Sequence, residues 1–192
     1  MVDKPGTITE LLSNVKVAMD RALLLQEEFY TPKTLERFFN ATQVAIGRPM
    51  RNVGVTLTLR SIRVQVDPSV FPGMAVVLLH GLEKPSGHPS SGHLEIHLPR
   101  PGMSLGTVRK ALGRETDTSL SSNYSDAPGM VPPPATKGNL NYRRPDNAAN
   151  PGCVAGEDVL SFGVEWGTPG TDRHAFPDAD MTRTFTLNER ER

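Results

Sequence analysis

One cysteine, Cys153, stands in 192 residues. An internal disulfide and a cysteine-only metal site are both excluded, and a lone thiol suits a reducing compartment better than an oxidising one. Net charge is lacking too, since 21 basic residues balance 21 acidic ones. No global field draws such a chain to nucleic acid or to an anionic membrane. The basic pairs Arg143-Arg144 and Arg48 with Arg51 are too sparse to line a nucleic-acid groove. Long apolar runs are missing: the longest, residues 22–25 and 74–79, fall far short of the roughly 20 residues of a membrane helix. The first six residues are polar and lead into no apolar segment of the kind a secretory signal carries. These absences predict a cytoplasmic protein whose partners are neither nucleic acid nor membrane.

The catalytic signatures are also few. No phosphate-binding glycine loop, dinucleotide fingerprint or Gly-x-Ser-x-Gly elbow is present, and Cys153 has no histidine near it in sequence. Apolar residues make up 37% of the chain, and the 17 glycines bring that share close to the usual level. A packed core is therefore attainable, and the length suits one domain, residues 1–192.

Residues 1–47 read as helical. Thr7 and Glu10 have capping-box spacing, and Ile8, Leu11, Leu12, Val15, Met19, Ala22 and Leu23 step at three and four along one face. Thr31-Pro32 starts a second helix, with Leu35, Phe38 and Phe39 on its apolar face. Gly47 and Pro49 end this part. Two short amphipathic helices need something to dock on, and the sheet that follows is the natural surface.

Residues 53–188 read as sheet-based. Val53, Val55, Leu57 and Leu59 alternate with polar residues, then the apolar phase flips to Ile62, Val64 and Val66, which predicts a bulge or a tight turn near Arg60-Ser61. Residues 74–79 suit a buried strand. Leu94, Ile96 and Leu98 form the inner face of the next strand. A short helix follows over 104–112, with Ser104 as N-cap, Leu105, Val108, Ala111 and Leu112 on one face, and Gly113 as the stop. Residues 114–158, rich in Ser, Pro, Asn and Gly, predict a long irregular loop, broken by a short strand at Leu140 and Tyr142. Leu160, Phe162, Val164 and Trp166 share one face of a strand, and residues 182–187 supply the last strand before a charged tail. No internal repeat is evident. The predicted class is α+β: two N-terminal helices packed on a mainly antiparallel sheet, with one inserted short helix.

Gly102-Met103-Ser104, Val108 and Leu112-Gly113 resemble the "G-M-S/T-x3-V-x3-L-G" helix of the SmpA/OmlA and beta-lactamase-inhibitor-protein-like modules. In that group antiparallel strands follow the helix, and Leu140-Asn141-Tyr142, Phe162-Gly163-Val164 and Phe185-Thr186-Leu187 fill the corresponding places over residues 94–188. The resemblance implies a binding module without catalytic residues.

Two constellations remain. His93, Glu95 and His97 alternate along a strand and project from one face, with neighbours about 6–7 Å apart. A His-x-Glu-x-His row can hold a divalent metal such as zinc, with His80 or His88 as a further ligand; a solvent-facing polar row opposite Leu94, Ile96 and Leu98 has the same pattern. Asp172, His174, Asp178 and Asp180 cluster before the last strand, a pattern that suits an acid/base or metal site, although acidic residues with Pro177 and Gly170 also make ordinary turns. Tyr124, Tyr142, Arg143, Arg144 and Trp166 are the candidate binding residues, because aromatics and arginines anchor interfaces. The leading functional expectation is a non-catalytic protein-binding module, in its sharpest form an immunity protein or inhibitor paired with a bacterial toxin, effector or enzyme, with no cofactor. The alternatives are a metal-dependent enzyme or metal-binding protein using the histidine row, and a secretion chaperone or adaptor docking through the N-terminal helices.

Overall fold

The structure, a computed structural model, describes residues 1–51, 57–83, 89–99, 102–121, 137–143, 159–165 and 181–190. Among them are three α-helices and ten strands joined in one antiparallel sheet, an α+β fold.

Helix α1 (Ile8–Arg21) opens on the capping box: the Thr7 amide donates to the Glu10 carboxylate at 3.0 Å, and the Glu10 amide donates to the Thr7 hydroxyl at 3.3 Å. It buries Leu11, Leu12, Val15, Ala18 and Met19. It stops before the sequence stripe does. Ala22 turns left-handed at φ 50°, and residues 23–25 continue as a 3-10 turn. A second such turn (Glu27–Tyr30) leads to α2 (Pro32–Phe39), capped by the Thr31 hydroxyl accepting from the Thr34 amide. Asn14, fully buried on α1, ties the two helices and the N-terminus together. Its amide nitrogen donates to the carbonyls of Phe38 (3.0 Å) and Val2 (2.9 Å), and its oxygen accepts from the Val2 amide.

The helical part does not reach residue 47. Asn40 takes φ 53°, a left-handed conformation that asparagine tolerates, and the chain turns directly into strand β1 (Ala41–Ile46). Strand pairing with β3 overrides the local reading there. The remaining elements are β2 (Met50–Arg51), β3 (Leu57–Val66), β4 (Ala75–Glu83), β5 (Pro89–His97), β6 (Met103–Ser104), α3 (Leu105–Leu112), β7 (Asp117–Ser121), β8 (Lys137–Arg143), β9 (Val159–Glu165) and β10 (Met181–Arg190). Helix α3 is capped by Ser104 as its sequence predicts, and Gly113 closes it at φ 84°. Residues 114–158 are less irregular than their composition implies, since β7 and β8 both lie within them. The last strand also runs past the expected end at residue 187.

The sheet order is β1-β3-β4-β5-β10-β9-β8-β7, with β2 on β3 and β6 on β10. Two similar halves meet at its centre. In each, one or more helices precede a run of antiparallel strands, and the last strand of each run, β5 or β10, lies innermost. The pairing of β5 with β10 is antiparallel, as an approximate twofold relation requires. No internal sequence repeat accompanies this likeness of topology.

One face of the sheet carries the core. Ile62, Leu78, Leu94, Leu187, Leu160 and Tyr142 form one cross-strand row on it, and Val64, Val76, Ile96, Phe185, Phe162 and Leu140 form the next. These residues join the buried faces of all three helices in a single cluster. The apolar faces of α1 and α2 are thus consumed by the core. The register from Leu57–Glu83 to Val64–Val76 is unbroken, so the bulge or tight turn expected at Arg60-Ser61 is absent. The phase flips because Leu59 lies on the opposite face from Ile62, without any backbone irregularity.

Candidate functional site

The opposite face of the central strands holds the histidine row. In register across β4, β5 and β10 stand Val77, Glu95 and Thr186; beside them stand Leu79, His93 and Asn188, then Ala75, His97 and Thr184. The alternation that sends Leu94 and Ile96 into the core sends these side chains outward, where they are half-buried or exposed. The Glu95 carboxylate sits between two imidazoles, with Oε1 at 3.1 Å from His97 Nε2 and Oε2 at 3.8 Å from His93 Nε2. The Asn188 side-chain oxygen is 2.6 Å from His93 Nδ1. An amide oxygen only accepts, so Nδ1 carries the proton there. His97 Nδ1 lies 3.4 Å from the Thr184 hydroxyl. The result is a continuous polar patch with a carboxylate at its centre and the half-buried aliphatic side chains of Val77 and Leu79 beside it.

Neighbouring positions are more covered. On β8 and β9 the same face carries Asn141 and Ser161, bonded at 2.7 Å, and Val159, which is only 3% exposed. Arg143 falls on this face at the end of the row through His93, Asn188 and Val159. Tyr142 points the other way. It is 5% exposed, edge-on to Phe162, and its hydroxyl donates to the Gly113 carbonyl at 3.2 Å. Burial first, and the nearby Glu115 carboxylate second, push its phenol up to about 12. It is a core residue that closes α3 onto β8 and does not belong to a binding surface. Tyr124, Arg144, Trp166, Cys153, His88 and the 172–180 cluster lie outside the described residues.

The row is not preassembled for a metal. A tetrahedral zinc site holds nitrogen and oxygen ligands about 2.0–2.2 Å from one point, and among the described residues no group of three or more His, Cys, Asp or Glu side chains is so arranged. His80 does not join it. It pairs opposite Gly92, on the helix-covered face, and is fully buried.

There His80 belongs to a polar seam that sequence reasoning missed. Arg60, His80, Gly92 and Glu189 form one cross-strand row over β3, β4, β5 and β10. Gly92 leaves room for the 3-10 turns, since a Cβ there would collide with Leu24 and the Tyr30 hydroxyl. Into that gap the Tyr30 ring stacks on His80 with centroids 3.7 Å apart, and the Tyr30 hydroxyl donates to the Leu24 carbonyl at 2.7 Å. The Leu24 amide in turn donates to Glu189 Oε2 at 2.9 Å. Neither ring nitrogen of His80 has a hydrogen-bond partner among the described residues. Burial, and then the Arg60 charge, hold its imidazole down at about 4, so it is neutral near pH 7. Burial and then Glu189 push the Tyr30 phenol up. The one available signal was the alternation Phe185, Leu187, Glu189, which continues the buried phase into what reads as a charged tail.

A separate concavity of about 470 Å³ lies between the N-terminal ends of α1 and α3 and is lined by Ile8, Val70, Phe71, Met74, Leu98 and Met103 among others. Among the described residues no titratable side chain lines it. Among the described residues no helix is long and apolar enough to cross a membrane. No family model, no curated protein and no solved structure matches this chain.

Proposed function

We infer that this chain is a non-catalytic protein-binding module that engages a protein partner through the outer face of β4, β5 and β10. The observation that carries this reading is the His93–Glu95–His97 patch, an ordered set of donors and acceptors with aliphatic side chains beside it, on strands braced from behind by the core. Interfaces combine such polar groups with apolar contact area, and a site built on strands is held more rigidly than one on loops. The resemblance of Gly102-Met103-Ser104, Val108 and Leu112-Gly113 to the beta-lactamase-inhibitor-protein-like modules implies the same kind of function, a binding module without catalytic residues. Its sharpest form is an inhibitor or immunity protein directed at a toxin or enzyme, which suits an α+β chain with balanced charge and no catalytic sequence signature. With α1 and α2 packed into the core, the adaptor alternative has less to recommend it.

Affinity purification of the tagged protein from its native lysate, with mass spectrometry, tests this reading. The expected result is one stoichiometric partner that survives high salt and is retained by His97→Ala at reduced yield. A partnerless protein carrying one equivalent of divalent metal, lost in His97→Ala, would replace this reading with the metal-binding one.

A further inference from the structure

We propose that the β1 edge pairs with β1 of a second copy of this chain, in antiparallel register about a twofold axis at Ala45. This inference is independent of the face proposed to bind another protein. It begins from what the edge lacks. Sheet edges in native proteins are blunted by charges, proline, short length or bulges. Strand β1, Ala-Thr-Gln-Val-Ala-Ile, contains no charge and no proline; the same edge of β3 continues through Arg48 and Pro49 into β2, and the register shifts between Ala41 and Gln43 and again between Ile46 and Met50. From Gln43 to Ile46 the pairing with β3 is regular, and among the described residues no strand lies beyond it.

The backbone phase determines which groups are on offer. Gly47 N–H donates to the Ser61 carbonyl at 2.8 Å, so residues 47 and 61 form a hydrogen-bonded pair. In an antiparallel ladder such pairs alternate. Ala45 therefore bonds toward β3, whereas the N–H and C=O of Val44 and Ile46 point away from it, toward the open edge. An antiparallel second copy centred on Ala45 brings Val44 opposite Ile46 of that copy, and Ile46 opposite its Val44, each as a hydrogen-bonded pair. Both side chains lie on the core side, because Val44 pairs with Val64 and Ile46 with Ile62. Such β-branched cross-strand pairs favour strand association. Ile46 is 41% exposed and gains cover from the contact. No like charges meet over residues 41–47, and the chain carries no net charge to oppose association. The outer face at the dyad holds two alanine side chains, which present no bulk to close approach.

The test is sedimentation equilibrium of the full chain over micromolar to millimolar concentrations, with two variants. Wild-type protein is expected to show a concentration-dependent monomer–dimer equilibrium. Ala45→Lys sets two ammonium groups opposite each other on the dyad and is expected to weaken association at least tenfold, while circular dichroism and the thermal midpoint stay as in wild type. Ala45→Cys in a Cys153→Ser background is expected to form an intermolecular disulfide with diamide, and Gln43→Cys, which faces Gly47 of the second copy, far less. A monomer throughout the range with no 45–45 cross-link overturns the proposal. So does a dimer that Ala45→Lys leaves intact, or capture of an extended segment of a different protein at this edge by a monomeric wild type.

Discussion

The two halves of the sheet share one topology and fill it with different material. The N-terminal half supports its five strands with a 14-residue helix, two 3-10 turns and an 8-residue helix. Among the described residues the C-terminal half has one helix, α3, of 8 residues, over an aromatic row that crosses its strands. Phe162 lies 5.2 Å from Phe185 and 5.7 Å from Tyr142, centroid to centroid. The halves are not independent bodies, however. Helix α1 packs on α3, and the Leu24–Glu189 bond joins the first helical hairpin to the last strand across 165 residues. The thin half borrows its cover from the thick one, and the β5–β10 junction is backed by elements of both halves.

Substitutions that strike each half sharpen this view. Phe38→Ala and Phe162→Ala, one in each half and both fully buried, should each cost about 3–5 kcal/mol. If the halves form one unit, near- and far-ultraviolet dichroism will report a single coincident urea transition for both variants. Two separate transitions in Phe162→Ala would break the account of a shared core.

The seam between the halves should respond to pH. With its native value near 4 against 6.5 unfolded, His80 binds a proton more readily in the unfolded chain. Its contribution is complete above pH 6.5 and is lost as the pH falls from 6.5 through 4, by up to about 3 kcal/mol at some 1.4 kcal/mol per unit. The difference in unfolding free energy between wild type and His80→Phe, measured from pH 7 to pH 4, should follow that slope; a flat difference would remove His80 from the seam.

Smaller effects distinguish the two ways in which helices are attached. Asn14→Ala deletes the bonds to Val2 and Phe38 and leaves a buried carbonyl unpaired, costing about 2 kcal/mol, measurable as a lower urea midpoint. Tyr142→Phe removes only the bond to Gly113 at the end of α3 and should cost about 1 kcal/mol. A larger loss for Tyr142→Phe than for Asn14→Ala would reverse the ranking of the two halves.

The N-terminal half was the more legible of the two. Thr7 with Glu10 and Thr31 with Pro32 announced both helix starts, because capping is a matter of local spacing. The end of α2 was not legible, because Asn40 and residues 41–46 owe their conformation to β3, which is distant in sequence. In the C-terminal half the inserted helix and the phases of Leu160 with Phe162 were readable from alternation. Within 114–158 the alternation of Leu140 and Tyr142 announced β8, whereas β7 was not legible, since Asp117–Ser121 gains its extended form from pairing with β8. The histidine row was legible as a row, because strand alternation fixes its face. Its partners Asn188 and Thr184 lie some ninety residues away, and no local pattern points to them. His80 and Glu189 were misplaced for the same reason.

The most direct test of the proposed docking face is the affinity of a partner captured from the native lysate for wild-type protein and for Glu95→Arg, with Lys16→Glu on α1 as the control. Reversing the central charge of the patch should weaken binding by about 2 kcal/mol, roughly thirtyfold, while the control binds as wild type and all three proteins melt alike. Equal affinity of Glu95→Arg and wild type would contradict the assignment of this face.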